Sequence, residues 1–243
     1  MIWHRKSLAG LDFETTGTNP ETDRIVTAAV VRYGGGRPDE AYRWVADPGV
    51  PIPAGATAVH GYTTEAARAA GRPPGQVVAE VIDAVAALVD EGLPLVVMNA
   101  PFDLTLLEAE AERNGLRGLF ARSVPRVLDP MVIDRHVDRY RPGSRRLEDL
   151  CRHYVVRLDG AHDCEVDALA ACGVVWKIAN RHRWMTRVPL EELHERQARW
   201  AVDQQEALRE HFATTPGKEH RARTVRSGWP LIPRMRPGVW PGE

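Results

Sequence analysis

The sequence is poor in cysteine, poor in lysine and free of long apolar runs, and each shortage excludes something. Its three cysteines, Cys151, Cys164 and Cys172, are odd in number and lack C-x-x-C spacing, which argues against a disulfide framework and a cysteine zinc site. Buried reduced thiols are expected instead. No apolar stretch approaches the roughly 20 residues that span a bilayer, so no membrane residence is expected. The opening "MIWHRKSLAG" lacks the apolar segment of a secretory signal, which points to the cytoplasm. Charge of one sign is also missing: 32 basic against 33 acidic residues leave a net charge of -1, which alone indicates no polyanionic partner. Only Lys6, Lys177 and Lys218 of the basic residues are lysines. The arginine excess fits phosphate forks and ion pairs, and a GC-biased codon supply would produce it equally well.

What is present is ordinary globular chemistry, 44% hydrophobic and 27% charged over 243 residues, enough for one substantial domain with an extension. Three β-branched or aromatic runs, 7–14, 24–33 and 40–46, are separated by the turn clusters "TGTNPETD" and "GGGRPD", which reads as an antiparallel meander. The Pro/Gly-rich "DPGVPIPAGATAVHG" reads as a loop, followed by a short helix at "TTEAARAA". Val77, Val78, Val81, Ile82, Val85, Leu88 and Val89 recur at helical spacing between Pro74 and Gly92. A short strand at 94–100, an amphipathic helix at 102–115, a fifth strand at 126–129 and two further helices, "SRRLEDLCRHY" and "DCEVDALAACGVVWKIANRH", follow. The expected fold class is therefore α/β, with a mixed five-stranded sheet flanked by helices.

The division expected is a domain over 1–183, a helical extension over 184–215 and a tail over 216–243. The extension helix starts near Pro189 and aligns Leu190, Leu193, Gln197, Trp200, Gln204 and Leu208 on one face. The tail holds five prolines, five arginines and two tryptophans, and its "HRARTVR" could hold a phosphate backbone.

The chemistry begins at "LDFETTGTNP", residues 11–20. Side chains two apart on a strand share a face, so Asp12 and Glu14 project together while Phe13 turns into the opposite layer. Two adjacent carboxylates repel unless a cation or a shared proton lies between them, and a divalent metal is the economical answer. Alone, a D-x-E pair is weak, since Glu14 could simply enter a solvated turn. Asp103 falls in the first turn of the helix after the fourth strand, in "NAPFDLTLL", where capping is an equal explanation. In "AHDCEVDALAACG" the better cap is Asp163, which leaves Asp167 inside the helix without a capping role and His162 just before it. Asp129, Asp134, Asp138, Asp149 and Glu165 read as a helix cap and solvated helix faces.

Together "LDFETTG", "NAPFDLTLL" and "HDCEVDALA" resemble the three motifs of the DnaQ-like, or DEDDh, 3′→5′ exonucleases, the family of the DNA polymerase III epsilon exonuclease domain. The resemblance runs over about 7–178 and includes "IPAGATAVHGYTTE". It implies a ribonuclease H-like fold and hydrolysis of terminal phosphodiesters to nucleoside monophosphates. It also implies that Asp12, Glu14, Asp103 and Asp167 bind two divalent ions, Mg2+ or Mn2+, with His162 as general base on the attacking water. All-oxygen acidic sites suit such hard cations, and histidine is suited to proton transfer near neutrality. Thr15, Thr16, Asn99, Phe102 and His60 are the residues expected around a 3′-terminal nucleotide.

The partner expected is a single-stranded 3′ end, DNA ahead of RNA, with a polymerase or another replication or repair protein alongside. The opposing reading is a silent module of the same fold that binds nucleic-acid ends or a polymerase without cutting. An aspartyl-phosphate phosphatase fits poorly, because the second acid is a glutamate and the first strands form a meander.

Overall fold

A computed structural model of the chain describes residues 3–233; residues 234–243 of the Pro/Arg-rich tail lie outside the described residues. Five strands, β1 (Ser7–Thr15), β2 (Ile25–Gly34), β3 (Glu40–Val45), β4 (Leu95–Val97) and β5 (Val127–Leu128), form one sheet in the order β3-β2-β1-β4-β5. The β1–β2 and β2–β3 pairs are antiparallel, and the β1–β4 and β4–β5 pairs are parallel. This is the mixed sheet of the ribonuclease H-like fold.

Nine helices are present among the described residues: α1 (Ala54–His60), α2 (Thr64–Ala70), α3 (Pro74–Asp90), α4 (Ala100–Arg113), α5 (Pro130–Val137), α6 (Leu147–Tyr154), α7 (Cys164–Arg181), α8 (Leu190–Thr214) and α9 (Glu219–Ala222). The first of these corrects the sequence reading, which placed a loop there. Pro53 precedes an alanine-rich turn, and Gly61 ends it in the left-handed region at φ 81°, so a short helix fits.

Period-2 alternation along β1 divides the core. Ala9, Leu11 and Phe13 join α3 and α4 in one layer, which includes Val77, Val81, Leu104 and Leu107. Leu8 belongs to the other layer with α6 and α7, through Leu150, Ala168, Cys172 and Val175. All three cysteines are buried and free, as expected.

Gly10 is placed between the layers for a reason. A Cβ there would stand 2.8 Å from Cys172 Sγ, 2.6 Å from Val31 Cγ2 and 3.0 Å from the Ala168 carbonyl, so only glycine lets α7 lie this close to β1.

The extension helix α8 closes the β5 edge of the sheet. Leu193, Gln197 and Ala201 are buried, whereas Leu208, expected on the same face, is exposed. Gln197 Oε1 accepts the Asp129 N–H at 2.8 Å, Gln197 Nε2 donates to the Val127 carbonyl at 3.0 Å, and His194 Nδ1 accepts the Val127 N–H at 3.1 Å. Side chains thus satisfy the backbone of an edge strand that would otherwise stay open. Trp229 folds back into the first layer, and its indole N–H donates to Asp129 Oδ2 at 3.4 Å.

Candidate active site

The crevice that holds the acids follows from strand lengths. On β1, β4 pairs only with Ala9, Gly10 and Leu11, so Asp12 and Glu14 run on past the carboxyl end of their parallel neighbour. Crevices of this kind, beyond the carboxyl ends of parallel strands, are where open α/β sheets bind ligands. The pairing with β2 slips between Glu14 and Thr15, which ends the strand there.

α4 enters the same crevice. Asn99 adopts a left-handed conformation, φ 55°, which turns the chain from β4 directly into α4 and sets Asp103, itself buried, in the first turn. The turn is held from below by Asp129, whose carboxylate accepts the N–H groups of Asn99 at 3.2 Å and Ala100 at 3.0 Å. Asp129 also caps α5 through Met131 N at 2.9 Å, so the expected cap is observed and braces a second helix as well. Asp134, expected on a solvated face, is instead fully buried. Arg141 at 2.7 Å, Arg145 at 3.0 Å and the Tyr154 hydroxyl at 2.7 Å surround it, which fixes the 138–146 loop beside α6.

α7 supplies the remaining groups. Asp163 caps it through Glu165 N and Val166 N, and Asp167 lies one turn further in. Asp167 Oδ2 accepts the His162 N–H at 3.2 Å, with His162 at φ 68°. Arg43 of β3 reaches across to Asp163 Oδ2 at 2.8 Å and Glu165 Oε2 at 3.4 Å, tying the start of α7 to the sheet.

The structure therefore brings Asp12, Glu14, Asp103, Asp167 and His162 together from β1, α4 and the start of α7. One donor atom each of Glu14, His162 and Asp167 lies within 4.8 Å of the other two. Burial raises the Asp12 carboxyl well above its ordinary value, and Asp103, Asp167 and Glu14 raise it further by repulsion. Burial likewise raises Asp103 against the pull of its backbone hydrogen bonds. Glu14 is pushed up to about 8, by burial and then by Asp167 and Asp163. Asp167 rises to about 6, mainly through burial, although the His162 N–H favours its charged form.

Among the described residues no arginine or lysine pairs with any of the four, and Asp167 Oδ1 is buried with no hydrogen-bond partner. Four clustered carboxylates, a buried oxygen without a donor and no basic counter-charge are what a hard divalent cation requires of its ligands. The donor set fits the expected ions.

The residues expected around a 3′ end are partly committed to one another. The Thr16 hydroxyl donates to Asp23 Oδ1 at 3.3 Å and accepts Arg24 N–H at 3.0 Å, and its own N–H donates to Arg24 O, so Thr16 builds the β1–β2 turn. The Thr15 hydroxyl donates to Gly17 O at 2.7 Å. His60 Nδ1 accepts the Tyr62 N–H at 3.2 Å, which leaves Nε2 to donate to Thr15 O at 3.3 Å and docks α1 on the end of β1. Phe102 is half-buried against the first layer, and Asn99 forms the turn before it.

Two residues that serve the site were not foreseen. Gly10 carries a legible signal, a glycine inside a strand two residues before the acids. Glu148 of α6 carries none; its Oε1 lies 3.7 Å from His162 Nε2, across a gap that only the fold closes.

The exonuclease family model RNase_T matches residues 10–175. The chain belongs to this DnaQ-like exonuclease family. A "DNA polymerase III subunit epsilon-like protein" of Rhodobacter capsulatus is 44% identical over 99 residues, covering 40% of this chain and 13% of that protein. Among solved structures, Exonuclease I of E. coli bound to a dT13 oligonucleotide superposes with a TM-score of 0.62 at 21% identity, over 74% of this chain and 42% of that one. Exonuclease I of Methylocaldum szegediense gives 0.59 at 20% identity, over 73% and 41%. The chain thus spans less than half the length of these proteins, and the likeness to Exonuclease I is one of fold.

Proposed function

We propose that this protein is a metal-dependent 3′→5′ exonuclease that removes nucleoside monophosphates from single-stranded 3′ ends, DNA ahead of RNA. The observation that carries the proposal is the convergence of Asp12, Glu14, Asp103 and Asp167, without a basic partner, beside His162. In this reading the four carboxylates hold two divalent ions, Mg2+ or Mn2+. Such a pair, when bound, activates water and neutralises charge on the leaving oxygen.

The chain's own groups do the rest. His162 Nε2 takes the proton of the attacking water as the new oxygen–phosphorus bond forms and the bond to the 3′ oxygen of the preceding nucleotide breaks. The Glu148 carboxylate at 3.7 Å then faces the imidazolium and offsets its charge. The rigid strand and two helix starts fix the carboxylates before substrate arrives. Thr15, Asn99, Phe102 and His60 form the floor for the terminal nucleotide, and Thr16 shapes the turn beneath it.

The similar structures support this choice of substrate and partner. Exonuclease I has been crystallised with dT13, in a zinc-bound form with single-stranded DNA, and with an SSB C-terminal segment. These favour DNA, a divalent metal and a replication or repair partner, and the epsilon-like relative adds a polymerase to the candidates.

Incubation of a 5′-labelled oligonucleotide with the protein tests the proposal. Stepwise shortening in Mg2+ or Mn2+ that EDTA abolishes, and that Asp12→Ala removes while circular dichroism stays unchanged, is the expected result. Binding of the oligonucleotide without metal-dependent shortening would instead identify a silent end-binding module.

A further inference from the structure

The proposed reaction makes no use of a cavity at the opposite end of β1 from the carboxylates. It measures about 560 Å³, within the range of small-molecule sites, and opens between the start of β1, the end of β2 and the last turns of α7. Its rim is fastened in place. Trp3 is buried, and its indole N–H donates to the Met185 carbonyl at 3.2 Å, pinning the turn Trp3–Arg5 to the turn Met185–Arg187. Arg5 and Lys6 are thereby brought to the same cavity as Arg183.

These three cations have no carboxylate partner among the described residues, as is also true of exposed Arg139, Arg187 and Arg199, but here they line one cavity. Arg32, Arg43, Arg72 and Arg126, by contrast, each pair with a carboxylate. The lining acid, Asp39, is already engaged by the Gly34 N–H at 2.8 Å. The positive field is felt locally: burial depresses the His4 pKa, and Arg5 and Arg183 depress it further. Two aromatics, Tyr33 and Trp176, the latter 39% exposed, line the same cavity, and Lys177 Nζ lies 5.9 Å from the Trp176 ring centroid. Gly34 and Gly36, both with left-handed φ, have open space where a Cβ would stand.

We infer that this cavity binds a phosphorylated nucleoside group, with its phosphate among Arg5, Lys6 and Arg183 and its base against Trp176. Unpaired cations beside an aromatic platform are the chemistry such a group requires. The choice of a nucleotide over other aromatic anions rests on the nuclease reading. Lys6 precedes Asp12 by six residues of extended chain, about 20 Å, so the cavity is separate from the reacting end. Two sources share this chemistry: a free nucleoside monophosphate, such as the reaction product, or an internal nucleotide of a strand held elsewhere along its length.

Binding to the full chain in EDTA, which stops hydrolysis, separates them. The probes are dTMP, inorganic phosphate, a fluorescent trinucleotide and a fluorescent oligonucleotide of about 15 residues. If the source is the free nucleotide, Arg183→Glu and Trp176→Ala each weaken dTMP binding about tenfold. If it is a strand, both weaken the longer oligonucleotide by that factor and leave the trinucleotide unchanged. Wild-type affinity of both variants for dTMP and the longer oligonucleotide overturns the inference. So does a site at which inorganic phosphate competes as well as dTMP and Trp176→Ala has no effect. Arg5→Glu provides the same readings should Arg183→Glu fail to fold. A wild-type protein that shortens no oligonucleotide in Mg2+ yet shows these binding losses defeats the nuclease reading alone.

Discussion

Removing the metal should turn the acid cluster into a pH-dependent liability, and Glu14 is the place to measure it. Its carboxyl ordinarily titrates near 4.5 and is pushed to about 8 in the folded protein by burial, Asp167 and Asp163. For an acid whose folded pKa is raised, stability is fully present below the unfolded pKa and is lost as pH climbs toward the folded value. Without metal, the fold should therefore weaken between about pH 4.5 and pH 8. At ~1.4 kcal/mol per pH unit the full penalty would approach 5 kcal/mol. Glu14 is only partly buried, so screening reduces the expectation to about 2 kcal/mol, or roughly 4–8 °C in melting temperature for a chain of this size. The assay is a thermal melt in EDTA from pH 5 to pH 8, wild type against Glu14→Gln, whose neutral amide carries no such penalty. The wild type should lose those degrees relative to the variant, and excess Mg2+ should restore about 2.7 kcal/mol at a hundredfold over Kd. Parallel pH profiles in EDTA, together with no gain from Mg2+, would refute both the clustering and the metal assignment.

Three other outcomes test the supports of the site. Gly10→Val should push α7 from β1, cost about 1–3 kcal/mol and displace Asp167, so urea unfolding and oligonucleotide shortening should decline together; an unaltered rate would show that the close approach of Gly10 to Cys172 is dispensable. Gln197→Ala leaves the Val127 carbonyl and the Asp129 N–H at the β5 edge without partners, at about 1–3 kcal/mol in urea unfolding, with the catalytic rate per folded molecule unchanged. Val155, exposed and left-handed at φ 55° after α6, is a poor residue for that conformation, so Val155→Gly should raise stability by about 1 kcal/mol in the same measurement.

What could be read from the sequence was what local periodicity controls. A strand's alternation is enough to place Asp12 and Glu14 on one face, and a capping residue at Asp163 is enough to free Asp167 from that duty. The strand meander, the helices from Pro74 onward and the buried thiols follow from the same short-range rules. Residues whose role lies in a distant contact were not legible. Asp134 resembles any surface acid of a short helix until Arg141, Arg145 and Tyr154 close around it. Trp229 sits in a stretch whose prolines and arginines read as a tail, yet it is buried against Asp129, one hundred positions away in sequence.

That contrast places Asp129 at the junction of the two classes. Its sequence context, an acid before proline, announces a helix cap, and the cap is there. The same carboxylate also accepts the first N–H groups of α4 and the indole N–H of Trp229, while the Asp129 backbone N–H donates to Gln197 Oε1. Burial raises its pKa while the donors to the carboxylate oppose the rise by favouring the charged form. The two kinds of buried acid are thereby distinguished on physical grounds. Asp129 is satisfied by donors from three segments and organises the fold. Asp167 Oδ1 has no donor, and Asp12 is repelled by Asp103, Asp167, Glu14 and Asp163, which leaves their charge to be met by something the chain does not itself provide.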